Sequence, residues 1–190
     1  QGTDYEVLLG ARRTLQERTV ALIVEVEFWP LYQGQKQFSE VELLLRQAGF
    51  SFYGLFNAQH RSRKLLDKRK EAGKERICHA DAVFFKDPLS DWPFQLKLDQ
   101  RAHEMLFISA LLLGYYDFAI ELTGENIWAG ASEAKLLTAF VRQCAAHSPN
   151  QAYSEALALA ERVRARPEMA PVEVGRFVDR YRDGGNYHDC

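Results

Sequence analysis

The run Thr19-Val20-Ala21-Leu22-Ile23-Val24-Glu25-Val26-Glu27-Phe28-Trp29-Pro30 limits what this chain can fold into more than any other stretch. Both of its alternating sets are apolar as far as Val24. As a strand it therefore needs cover on both faces, the pattern of an inner strand of a parallel sheet. Pro30 lacks the amide that a further ladder step requires and ends the strand. Glu25 and Glu27 are two residues apart, so they point to one face at the strand's carboxyl end, where open α/β sheets bind ligands. They are the first candidate site residues. Solvation, or pairing with Arg12, Arg13 or Arg18, is the structural alternative for either carboxylate.

A chain of 190 residues can bury a substantial core as one domain or as a domain with an appendage. Its formal net charge of -2 gives no general attraction to nucleic acid or to acidic membranes. The basic run from Arg61 to Arg76 is interrupted by Asp67, Glu71 and Glu75 and reads as a solvated face, with phosphate binding as the alternative. Cys78, Cys144 and Cys190 are odd in number and far apart, which indicates neither a disulfide framework nor a zinc site, and a reducing cytoplasm fits them. The longest apolar stretch, Met105 to Leu113, is about half of what a membrane-spanning helix needs. The chain opens on Gln1-Gly2-Thr3-Asp4, without a leader or an initiating Met, so a missing upstream segment is expected.

Thr3-Asp4-Tyr5-Glu6 has the spacing of a capping box, and Tyr5, Leu8, Leu9 and Leu15 follow at helical spacing, with Gly10 as a break. After the strand and a loop, Ser39-Glu40-Val41-Glu42 repeats that spacing. Val41, Leu44, Leu45 and Ala48 make the apolar stripe of a second helix, which Gly49 ends. Phe50–Phe56 reads as a second strand and Ala80–Lys86 as a third, with a long, partly helical charged connection from Asn57 to His79 between them. From Trp92 onward the pattern is helical. Its stripes include Ala102, Met105, Leu106, Ser109, Leu112 and Leu113, then Tyr116, Ala119, Ile120 and Leu122, and three more towards Tyr181. The expected division is residues 1–91 and a helical extension over 92–190.

The order Gln1-Gly2-x-Asp4-x-Glu6-Val7-Leu8-x-Gly10-Ala11, then Val24-Glu25-Val26-Glu27-Phe28-x-Pro30-Leu31-Tyr32-x-Gly34-Gln35, then Phe38-x-Glu40-Val41, Gly49-Phe50 and Ala80-Asp81-Ala82-Val83-Phe84 resembles FkbM-like methyltransferases over about the first 87 residues. The resemblance implies an α/β fold, the closing half of a Rossmann-like sheet that binds S-adenosylmethionine, and methylation of hydroxyl groups on sugars or secondary metabolites. By it, Gln1 and Gly2 follow the fourth strand as cofactor-binding residues, Glu25 and Glu27 end the fifth, and the last two strands form the hairpin that closes the sheet. The family's Gly-rich turn and ribose-binding carboxylate have no counterpart in this chain. The expectation is a carboxyl-terminal piece of a longer methyltransferase that binds the cofactor only with the upstream half.

Methyl transfer to a hydroxyl requires an aligned acceptor oxygen and is helped by a base. Glu25 or Glu27 is the candidate base, and Trp29 and Tyr32 are candidate walls for a sugar ring, with core packing as their alternative. Asp4 is a candidate substrate contact, although capping and the helix dipole also account for it and for Glu6. The five histidines show no zinc spacing, whereas a magnesium ion on Asp4, Glu25 and Glu27 stays open. The expected partner is a small-molecule or glycan acceptor, with no nucleic acid and no membrane, and self-association through the helical region is left open. A non-enzymatic helical interaction module behind a degenerate half-sheet is the competing reading.

Overall fold

The computed structural model describes residues 2–61, 65, 75–90, 97–124, 128, 130–147 and 151–183. Two short helices, α1 (Asp4–Gly10) and α2 (Arg12–Glu17), lead into β1 (Ala21–Glu27), α3 (Phe38–Gln47), β2 (Ser51–Arg61) and β3 (Arg76–Phe85). Helices α4 (Gln100–Leu112), α5 (Tyr116–Leu122), α6 (Ala131–His147), α7 (Gln151–Ala165) and α8 (Ala170–Asp183) follow, with a 3-10 turn at Pro167–Met169.

The strands form one sheet in the order β1-β3-β2, and β3 runs antiparallel to both neighbours. β1 and β2 thus point the same way but never touch. The sequence pattern of an inner strand in a parallel sheet is met only in part. β1 has cover on both faces, but its one ladder among the described residues is antiparallel, to β3. Alternating burial cannot report which neighbour supplies the hydrogen bonds, so the direction of pairing was beyond the pattern.

Two apolar layers cover the sheet. On one face Val24, Val26, Ala82 and Phe84 pack with Leu8 of α1, Leu15 of α2 and Val41, Leu44 and Leu45 of α3. On the other, Val83 and Phe85 pack with Leu106, Phe107 and Ala110 of α4 and Phe118, Ala119 and Leu122 of α5. At about 25 cal/mol per Å² of apolar surface, this burial is the principal force holding the helices to the sheet.

Three local expectations shift. Thr3 precedes α1, but its side chain makes no capping hydrogen bond. In α3 the cap is Gln37 rather than Ser39: the Gln37 amide donates to Glu40 Oε2 at 3.0 Å, and that bond, the largest influence on the group, lowers the Glu40 pKa. The buried face of α4 is His103, Leu106, Phe107 and Ala110, whereas Met105 and Leu112 are exposed. That helix is apolar nearly all round, so spacing alone did not choose its inward face.

The charged connection is also shorter than expected. Asn57–Arg61 belongs to β2 and Arg76–His79 to β3, and the helix expected between them lies largely outside the described residues.

Candidate functional site at the carboxyl end of β1

The β1–β3 register fixes which side chains share a face. Glu25 lies opposite Asp81 and Glu27 opposite His79, and alternation places all four on the same side of the sheet. His79 Nδ1 is 3.3 Å from Glu25 Oε1. Asp81 is already engaged, because Asn57 Nδ2 donates to its Oδ2 at 2.7 Å. Asn57 adopts φ 50°, which a short polar side chain tolerates.

Glu27 is the buried member of the group, 5% exposed. Burial raises its pKa above the ordinary 4.5, and the charges of Glu25 and Asp4 push it further; His79 and the Gln35 amide act in the opposite direction. Asp4, in the first turn of α1, is thus electrostatically coupled to the strand end.

The loop after β1 closes over the same region. Gln35 Oε1 accepts the amides of Leu31 and Tyr32 at 2.9 and 3.2 Å, and the Gln35 amide donates to Tyr32 O at 3.3 Å. Gly2 sits against this loop with φ 75°. A Cβ there would lie 2.7 Å from Gln35 Nε2 and 3.0 Å from Tyr32 Cδ2, so both conformation and space call for glycine. Trp29 Nε1 is a buried donor without a hydrogen-bond partner, whereas the buried Gln35 side-chain amide is directed at Glu27 and lowers its pKa by hydrogen bonding. The Trp29 ring carries the Arg76 guanidinium, 4.9 Å from its centre, and Arg76 Nη2 reaches Phe28 O at 3.4 Å.

Of the residues expected from sequence, Gly2, Asp4, Glu25, Glu27 and Tyr32 converge on this strand end, and Trp29 stands in the loop beside it. Tyr32 is half exposed, compatible with a wall open to solvent. Gln1 lies outside the described residues. His79 and Gln35 were missed as site residues. His79 fell within a stretch read as a charged connection, and only its pairing with β1 brings it to Glu27. Gln35 was quoted only as part of a motif, although Gly34-Gln35 marks a turn. Among the described residues no group of three or more His, Cys, Asp or Glu side chains is arranged to hold a metal ion. No described helix is long and apolar enough to cross a membrane.

A helix-covered sheet with carboxylates gathered at one strand end defines a mixed α/β protein with a polar, partly buried site. Residues 1–52 match the model of the methyltransferase FkbM domain, a span holding α1 to α3, β1 and every expected site residue. The start of the chain is therefore FkbM-like, over 52 of its 190 residues. No curated protein and no solved structure matches the chain.

Proposed function

We propose that this chain carries the acceptor side of an S-adenosylmethionine-dependent O-methyltransferase whose substrate is a hydroxyl of a sugar or secondary metabolite. The observation that carries the reading is the convergence of Glu25, Glu27, Asp4 and His79 at the carboxyl end of β1, within a segment that is FkbM-like. The sheet order supports it. An antiparallel strand set between two strands of common direction is what the closing half of a Rossmann-like methyltransferase sheet requires.

In this reading Glu27 takes the proton of the acceptor hydroxyl, since a buried carboxylate with a raised pKa is a better base than a solvated one. Glu25 and His79 hold the hydroxyl in position, and the free Nε1–H of Trp29 donates to a neighbouring acceptor oxygen. Tyr32 walls the ring. The residues described do not by themselves fit S-adenosylmethionine. They offer carboxylates on one side, but the chain contains no Gly-x-Gly turn whose amides could face the cofactor. The methyl donor therefore needs the upstream half that the resemblance implies.

Transfer of label from S-adenosylmethionine to hydroxylated sugars and small phenols or polyols, assayed with the full-length gene product, tests the reading. Labelled ether product is expected. Absence of both cofactor binding by calorimetry and labelled product would reject it. Exposed Leu136, Phe140, Leu157 and Val174 on α6 to α8 favour a second reading, in which the helical region serves association with another protein surface. A protein that binds no cofactor but self-associates through those side chains would support that reading instead.

A further inference from the structure

A cavity of about 610 Å³ opens at the end of β1 away from Glu27. It lies between the last turn of α2, the start of β1, the residue after β3 and the first turns of α4. Its wall carries four cationic side chains, Arg18, Lys86, Lys97 and Arg101, against two carboxylates, Glu17 and Asp99. Each carboxylate has a local partner, and the four cations still outnumber the two anions at the wall. Glu17 pairs with Arg13 Nε at 3.1 Å, and Asp99 caps α4 by accepting the Ala102 amide at 2.7 Å. Arg18, Lys97 and Arg101 are exposed and form no ion pair among the described residues.

Lys86 differs from these three in being only 5% exposed. Its Nζ donates to Gln16 O at 2.6 Å, at the carboxyl end of α2, and stands 5.2 Å from the centre of the Phe50 ring. Those contacts anchor the ammonium and suit a helix carboxyl terminus, yet the bond to Gln16 uses one donor of three. No described carboxylate pairs with it. Burial accordingly lowers its pKa. A buried cation with spare donors at the wall of a cavity rimmed by further cations is a site for an anion.

We propose that this cleft binds a phosphate-bearing small molecule, with Lys86 as the buried anchor and Arg18, Lys97 and Arg101 around the opening. A phosphate ester suits it better than a carboxylate, because a charge of about −1.5 to −2 at pH 7 engages several cations and guanidinium forks bind phosphate oxygens in pairs. The volume falls within the roughly 300–1,000 Å³ typical of small-molecule sites, which leaves room for more than a lone ion. The first turn of α4 is not the anchor, since Asp99 already occupies it. The cleft stands apart from the carboxylates of β1, so the proposal is independent of the methyl-transfer reading.

Titration of the folded protein with inorganic pyrophosphate, followed by calorimetry and by amide chemical shifts, tests it. One-site, saturable binding is expected, with shifts around Arg18, Lys86 and Arg101. Affinity should fall about tenfold or more in each of Lys86→Met and Arg101→Ala, the size of one charged hydrogen bond. Arg101 is exposed, so its variant remains informative even if Lys86→Met does not fold. No saturable binding, or affinity unchanged in Arg101→Ala, would overturn the proposal.

Discussion

Glu27 is the residue at which folding and chemistry pull in opposite directions. It is almost fully buried, and its carboxyl is harder to ionise than an exposed one, first because of burial and then because of Glu25 and Asp4. The folded state therefore holds the proton more tightly than the unfolded chain does. Stability from the protonated form is fully present below the unfolded value and is lost as pH rises through the folded one. Glu27→Gln keeps the shape and removes the charge. It should raise stability at pH 7 and abolish that downward slope, which urea unfolding of both proteins from pH 4 to 8 would reveal. An unchanged slope would place the raised group elsewhere. The two glutamates were legible in sequence because period-2 alternation at a strand end needs no tertiary knowledge. Asp4 was legible only as a candidate, since its first-turn position offered a local explanation. His79 was not legible, because its partner Glu25 is on another strand and local pattern carries no cross-strand register.

At the scale of elements, the sequence stated most clearly what local chemistry decides. The stripe Val41, Leu44 and Leu45 of α3, with Ala48 just past its end, is buried or partly buried as its spacing predicts, and Gly49 comes next with φ 90°. The break expected at Gly10 falls one residue on: Gly10 is the last residue of α1, and Ala11 separates it from α2. Caps were less legible, because Gln37 at the start of α3 is a poorer cap by type than Ser39 and wins through Glu40. Asp99 is a cap with full geometry, its Oδ1 accepting Ala102 N at 2.7 Å. Asp99→Ala should cost about 0.5–2 kcal/mol, read from the denaturation midpoint. A neutral result would mean that tertiary packing alone fixes the start of α4. The far ends of β2 and β3 were hidden for a different reason. His60, Arg61 and Arg76 are charged or polar residues in strand pairing at a sheet margin, and charge there reads as loop.

For the whole molecule, the sheet joins two helical layers, and β3 belongs to both: Phe84 points into one core and Phe85 into the other. Phe85 stacks edge-on or tilted against Tyr53, Tyr115 and Phe118, with ring centres 4.8, 5.3 and 5.5 Å away. Phe85→Ala should cost about 3–5 kcal/mol in equilibrium unfolding. A loss under about 1 kcal/mol would mean that α4 and α5 do not depend on the sheet. The apolar stripes after Trp92 showed that these helices need a partner surface but not which one, and α4 and α5 find it on the sheet. That β1 would meet β3 antiparallel could not be read from alternation alone, because strand order is a property of long-range contacts.

The central claim is that the carboxyl end of β1 is the reacting side of a methyltransferase, and turnover against cofactor affinity tests it most directly. In the full-length enzyme with an accepted hydroxyl substrate, Glu27→Gln should lower kcat about 10²–10⁴-fold, the loss of a general base, while the Kd for S-adenosylmethionine stays within about twofold. Turnover at the wild-type level in both Glu27→Gln and Glu25→Gln would contradict the account.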